Sequence, residues 1–561
     1  MKLPALPAKA GQKITLGQLV GSSLALVAAR LTREANRPVL LVTADTPSAL
    51  RLEQELSFLL ADQGCPVLMF PDWETLPYDT FSPHQDIISQ RLETLYRLPQ
   101  MSSGVLIVPI STLMLRTAPQ AYLDKYSLMV TSGQRLNLQQ LRGRLAEAGY
   151  VAVEQVLEHG EFAARGSLLD LFPMGSSRPY RIDFFDDEVD SIRPFDPESQ
   201  RSSEPVKSVS LLPAREFPTD EAAIELFRGQ FREQFELSRA EGSVYQEVSK
   251  GRWPAGIEYY LPLFFSQTAS LFDYLPDNTL LLTVGEIYPA AQRFWNDIGQ
   301  RYEDRRWDNT RPLLPPQQIY LPVEQLFAAL GQYGAVRLQE AATDGGAGQH
   351  DLPIAPLPDL QLDHSKEQPL LALSQFLQGF AGRTLFAVES EGRREGLGDL
   401  LARIKLQPKE FASLEEFVGS KARHGLLVSP LERGFLLEPA GAEALALITE
   451  TELLGGKIRS KRQREKSKNL SSDAVIRNLG ELTQGQPVVH LDHGVGRYLG
   501  LETLDAGGLP TEFLTLEYAG GDKLFVPVTN LHLISRYTGS DNPPSHKLGG
   551  EAWVKARRKA A

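Results

Sequence analysis

Four consecutive aliphatic residues, Val39-Leu40-Leu41-Val42, offer water no polar face. A strand of this kind must be covered on both sides, which demands a parallel sheet sandwiched between helices. The neighbouring sequence supplies the rest of that pattern. Helix candidates at Leu19 to Leu31, Ser48 to Leu60 and Ser89 to Leu98 alternate with strands at Val67 to Phe70 and Val105 to Ile110. Residues 11 to about 125 are therefore expected to form α/β units. The same grammar returns between about 212 and 345. There, Asp220 to Glu236 reads as a helix and Asn278 to Val284 as a buried strand.

The stretch between these blocks follows a different period. Asn137 is a candidate N-cap for a helix from Leu138 to Ala148 that stops at Gly149, and a strand from Val151 to Val156 follows. Leu168, Asp170 and Phe172 then fall on one face of a strand, with Leu169 and Leu171 on the other. Pro173 and Gly175-Ser176-Ser177 break the chain. The next strand places Tyr180, Ile182 and Phe184 on one side and Arg181, Asp183 and Phe185 on the other. Asp186-Asp187 turns into a third strand, Glu188 to Arg193. Alternation alone describes a small sheet with one apolar side. Phe185 is the exception: an aromatic on the polar face beside Arg181, a pairing enriched at protein interfaces.

Two positions invite comparison with nucleotide chemistry. A phosphate-binding loop needs Gly-x4-Gly-Lys-Ser/Thr, because glycines let backbone amides reach phosphate, Lys neutralises charge and the hydroxyl holds magnesium. The corresponding turn is Gly17-Gln18-Leu19-Val20-Gly21-Ser22-Ser23, with one residue too few between the glycines and Ser22 where Lys is required. The later buried strand ends Gly285-Glu286 rather than Asp-Glu, so the magnesium-binding Asp is missing. Both losses agree, and the turn is expected to bind no ATP.

Further along, Arg311 to Pro316 is a stiff connector, and Thr343 to Gly348 with the Pro-rich segment 351–362 marks a boundary. Residues 363 to about 454 form another α/β unit. It has helices at Leu370 to Phe380 and Arg393 to Ile404, and strands at Leu385 to Val388, Gly425 to Ser429 and Ala444 to Thr449. No catalytic constellation stands out there. Gly455 to Asn469 is a charged linker with seven Lys/Arg against one Glu, a solvated run that could also touch nucleic acid. From 484 to about 538, short strands at Pro487 to Leu491, Arg497 to Leu504, Glu512 to Tyr518 and Leu524 to Val528 suggest a small barrel. Leu499 is core by default; on an outward-facing edge strand it would dock a partner by strand addition. Glu551 to Lys559 reads as the start of a helix without a capping signal, which suggests that the chain is cut short.

Composition sets the outer limits. A chain of 561 residues with 42% apolar and 23% charged residues is ordinary folded protein, at a length of roughly four domains. The single cysteine, Cys65, excludes an intramolecular disulfide and a cysteine-cluster metal site. A net charge of −12 argues against nucleic-acid binding by the whole surface. No metal-ligand or Ser/His/Asp spacing is evident. No signal-peptide core and no bilayer-length apolar run is present, so no membrane contact and a cytoplasmic location are expected.

Longer motifs carry a resemblance. Glu161-Phe162-Ala163-Ala164-Arg165-Gly166, Asp170 to Pro173 and Arg181 to Glu188, together with residues 72–92 and 487–504, are similar to the transcription-repair coupling factors in a gammaproteobacterial form. The first three motifs are shared with UvrB, and 487–504 with CarD-like regulators. The fold class this implies is α/β multidomain: a UvrB-like degenerate helicase-type α/β domain with an inserted small α+β domain, a further α/β domain, and a small C-terminal β-barrel of CarD-like/Tudor-like type.

The resemblance implies domains at 1–125 and 212–349 (the two parts of the UvrB-like domain), 126–211 (a UvrA-binding insertion) and 350–454 (role unknown). A linker at 455–483, a polymerase-interacting barrel at 484–545 and a helix start at 546–561, leading to an absent motor, complete it. It further implies that UvrA binds through Arg165, Arg181 and Phe185, and the RNA polymerase β subunit through Leu499, Tyr498 and Arg497. ATP, magnesium and most DNA contact would belong to the motor, leaving this chain without a cofactor. The segment between Phe70 and Val105 lacks the aromatic hairpin with which UvrB clamps DNA. The competing readings are a nucleotide-dependent helicase-like enzyme and a DNA-binding module using Lys457 to Lys468.

Overall fold

A computed structural model describes residues 3–61, 64–236, 242–362, 369–438, 443–454, 484–490, 494–505, 510–518, 521–527 and 534–536. The chain forms two compact units, one comprising residues 1–73, 77–357 and 382–447, the other 74–76, 358–381 and 448–561.

The first unit begins with β1 (Lys13–Gly17), β2 (Pro38–Thr43), β3 (Val67–Met69) and β4 (Gly104–Pro109). Helices α1 (Ser23–Ala35), α2 (Thr46–Leu60) and α3 (Gln85–Arg97) connect them. All six residues of β2 and of β4 are buried, as the aliphatic run requires. Alternation divides them between two cores. Val39, Leu41, Val105 and Ile107 join Leu24, Leu52 and Leu56 of α1 and α2. Leu40, Val42, Leu106 and Val108 join Ile88, Leu92 and Leu95 of α3 on the opposite face. The Asp45 carboxylate accepts the Ser48 amide at 2.8 Å and caps α2, while α1 ends at Asn36 in the left-handed region.

An insertion follows: β5 (Leu128–Thr131), β6 (Val151–Ala152), β7 (Glu161–Arg165), β8 (Leu168–Leu171), β9 (Tyr180–Phe185), β10 (Glu188–Pro194) and β11 (Ser208–Leu211). The ribbon β11-β5 stands beside a five-stranded sheet ordered β10-β9-β8-β7-β6. Asn137 caps the helix Leu138–Glu147 through the Gln139 and Gln140 amides, and Gly149 at φ +87° ends it. The strand expected over Val151 to Val156 pairs only at Val151 and Ala152; beyond them the chain crosses the outer face of the sheet and buries Val156.

The chain then returns to the first sheet with β12 (Leu280–Val284), β13 (Gly334–Leu338) and β14 (Gln349–Asp351). The sheet order is β14-β1-β13-β12-β2-β4-β3, parallel throughout. A second α/β sheet is built from β15 (Ile354–Ala355), β16 (Arg383–Val388), β17 (Lys409–Phe411), β18 (His424–Val428), β19 (Phe435–Leu437) and β20 (Leu445–Thr449). Its order is β15-β19-β20-β16-β18-β17. Leu385, Ala387, Phe417, Leu427 and Phe435 enter the same core as α1 and α2, so the two sheets are not packed independently.

In the second unit, β21 (Pro487–His490), β22 (Gly494–Asp505), β23 (Pro510–Glu517), β24 (Lys523–Pro527) and β25 (Ile534–Arg536) form an antiparallel sheet ordered β24-β23-β22-β21-β25. Among the described residues no pairing joins β24 to β25. Val488, Tyr498, Leu514, Leu516, Tyr518, Val526 and Ile534 form its core. The linker 455–483 and the helix start at 546–561 lie outside the described residues. Among the described residues no helix is long and apolar enough to cross a membrane.

Candidate functional site

The inserted sheet has two faces with different fates. Leu169, Leu171, Ile182, Phe184, Val189 and Ile192 are buried in the main core. On the outer face, Val156, Ala163, Phe172 and Phe195 make a second small core. These residues cover one part of that face and leave the end of β9 open.

Arg181 belongs to the covered part. Its guanidinium donates Nε to Asp170 Oδ1 at 2.7 Å and Nη2 to Asp170 Oδ2 at 2.8 Å, because β8 and β9 place the two residues directly opposite. It also lies 5.0 Å from the Phe195 ring centroid and donates at 3.4 Å to the Gln200 carbonyl and the Ser202 hydroxyl. The hydrogen bonds to Asp170 raise its pKa further, so it stays charged.

Arg165 is exposed and donates Nη2 to the Glu154 carbonyl, holding the segment that crosses the face. Phe185 is different. It ends β9 opposite Glu188 and is 74% exposed. Four residues along one strand separate it from Arg181 by about 13 Å. The two are therefore not a side-by-side exposed pair. Phe185 stands free on the open part, near Leu168 and Asp183, which pair across β8 and β9. Asp170, Phe172, Phe195 and Glu154 are the partners that sequence reasoning missed, because strand alternation does not reveal which strands are neighbours.

On the small sheet, Tyr498 is 6% exposed and sits in the core. Arg497 faces Glu517 on one side and Pro487 on the other, and donates Nη1 to the Gly485 carbonyl at 3.0 Å. The ladder register shifts between Tyr498 and Gly500, so Leu499 lies opposite no residue of β23 and is half-buried at a bulge. The edge-strand condition for docking at Leu499 is not met: β22 lies between β21 and β23, and the edges are β24 and β25. Phe525 on β24 is 38% exposed and pairs with Thr515, itself opposite Gly500.

The glycine turn compared above with a phosphate-binding loop is filled by the chain itself. A Cβ on Gly17 would run into the Asp351 carboxylate and come within 2.8 Å of the Ala341 carbonyl. The Ser22 amide, where a phosphate oxygen would sit, instead donates to the Arg433 carbonyl at 2.9 Å. The Ser22 hydroxyl donates to Glu55 Oε1 at 2.6 Å, and the Ser23 hydroxyl to the Val20 carbonyl at 2.6 Å. Burial pushes the Glu55 carboxyl up, opposed by the Ser22 hydrogen bond. At the C-terminal end of β12, Gly285 adopts φ +77° and Glu286 pairs with Arg337 of β13.

Family comparison matches three segments of this architecture. Residues 128–217 match the UvrB interaction domain, 376–453 the MFD D3 domain, and 482–538 the CarD-like/TRCF RID domain. The transcription-repair-coupling factor of Escherichia coli K12 is 51% identical over 559 residues, covering 99% of this chain and 48% of that protein. The Haemophilus influenzae factor is 49% identical over 561 residues, covering 100% and 48%. The Bacillus subtilis factor is 28% identical over 573 residues, covering 97% and 47%. The chain thus spans about half the length of the curated relatives it matches. With the UvrB interaction, D3 and RID domains in succession, the chain is similar over nearly its whole length to about half of a transcription-repair-coupling factor.

Proposed function

We propose that this chain is a two-ended, non-catalytic adaptor that joins nucleotide excision repair to stalled transcription. The inserted sheet captures UvrA, and the small sheet captures the RNA polymerase β subunit. The observation that carries this reading is Phe185, a 74% exposed ring on the open part of a sheet within the segment that matches the UvrB interaction domain. An aromatic in that position gives a partner a large contact area at little conformational cost. Arg165, through the Glu154 carbonyl, and Arg181, paired with Asp170 further along β9, act as clamps on the segments that shape the face.

At the other end, the docking surface centres on Leu499, with Arg497 at its side. Tyr498 supports both from beneath. Because β22 is an inner strand, recognition there proceeds through side chains rather than by strand addition. Leu499→Arg puts a charge into that contact and is expected to weaken binding of the isolated polymerase β subunit by at least about 2 kcal/mol, roughly thirtyfold. Calorimetric titration checks this, with circular dichroism to confirm that the sheet persists. Unchanged affinity would remove Leu499 from the interface.

A further inference from the structure

The turn that occupies the former phosphate cradle comes from the segment between β18 and β19, more than four hundred positions away in sequence, since Arg433 and Ser22 are separated by 411. It is held by backbone and by two apolar anchors. Leu431 and Phe435, 6% and 3% exposed, enter the core shared with Leu24 of α1 and Leu56 of α2. Between these anchors the Arg433 carbonyl accepts the Ser22 amide at 2.9 Å. The Arg433 amide donates to the Ser22 hydroxyl at 3.2 Å, and the Glu432 amide reaches Glu55 Oε1 at 3.4 Å. Glu55 is 2% exposed, so its carboxyl lies under the turn rather than beside it. Gly21 makes the approach feasible. It adopts φ +61°, and a Cβ there would meet the Gly434 carbonyl at 2.5 Å and that of Arg433 at 2.9 Å.

This is how a phosphate cradle receives an anionic oxygen: a glycine that permits close approach, then an unpaired amide at a helix start aimed outward. Here the oxygen is a peptide carbonyl. Lys at position 22 would need the space that the turn now fills, whereas Ser22 is short enough to bond both the turn and Glu55.

We propose that the cradle formed by Gly21, Ser22 and Glu55 is an intrachain binding site whose ligand is the turn 431–435. Through it the second α/β sheet is docked on the first. Nucleotide and turn exclude one another, and the D3 segment has a role as a strut.

Hydrogen–deuterium exchange of the full chain tests it. Ser22→Lys forces the turn out; Ser22→Ala removes only the hydroxyl that serves Arg433 and Glu55. Both are expected to speed exchange in peptides spanning 428–437 by roughly tenfold or more, while peptides spanning 180–194 keep the wild-type rate. Should Ser22→Lys fail to fold, the Ser22→Ala result decides. Wild-type exchange at 428–437 in Ser22→Ala would overturn the proposal.

Discussion

If the inserted sheet captures UvrA as proposed, Phe185→Ala is expected to weaken that capture by about 2–4 kcal/mol, roughly thirty- to a thousandfold, and to leave the thermal midpoint where it was. The ring makes almost no use of the protein's own interior, being 74% exposed at the end of β9. Removing it therefore subtracts contact area from a partner without opening a cavity. Arg181→Ala is expected to behave differently. The bidentate pair with Asp170 is half withdrawn from water, at 26% and 14% side-chain exposure. Truncating the arginine strands that carboxylate and frees the residues around Gln200 and Ser202. A stability loss of about 1–3 kcal/mol should accompany any loss of binding. Affinity and melting measured on both variants separate contact from clamp, and Phe185→Ala with wild-type affinity for UvrA would reject the assignment.

The second large effect concerns how the insertion is held. Arg91 of α3 and Glu216, just past β11, form a fully buried pair at 2.8 Å, with side-chain exposures of 0% and 2%. Arg91 also donates to the Pro71 carbonyl at 2.7 Å and stacks 4.1 Å from the Phe70 centroid; Trp73 Nε1 donates to the other Glu216 oxygen at 2.7 Å. The cluster ties the exit of the insertion to the helix beneath it. Arg91→Met leaves a buried carboxylate with the Trp73 indole as its remaining hydrogen-bond donor among the described residues, and is expected to cost about 3–5 kcal/mol. Adding Glu216→Gln keeps an acceptor for Trp73 while removing the charge, and should recover most of the loss. Urea titration of the two variants checks this, and a cost below about 1 kcal/mol for Arg91→Met would show that the pair contributes little.

What was legible in the sequence follows from the range of the forces involved. The strand Val39 to Val42 needed only its own composition to be placed at the centre of a parallel sheet. Phe185 needed only alternation along β9, and its exposure agrees with that pattern. The state of Arg181 could not be read that way, because it depends on β8 lying opposite β9 in one particular register. Leu499 depends on a one-residue bulge, which no periodicity announces. The strand Lys409–Phe411, with Lys409 and Glu410 exposed, is too short and polar to signal itself. The occupant of the nucleotide turn was out of reach altogether. Ser22, where a phosphate loop needs Lys, argues against phosphate binding, but nothing near it in sequence indicates that the Arg433 carbonyl bonds its amide.

An adaptor must hold both partners at once. The direct test immobilises the RNA polymerase β subunit, adds this chain and then UvrA. UvrA should be retained only when the chain is present. It should be lost with Phe185→Ala while the chain stays bound, and lost together with the chain in Leu499→Arg. Retention of UvrA by Phe185→Ala, or displacement of the chain from the polymerase subunit by UvrA, would contradict the adaptor reading.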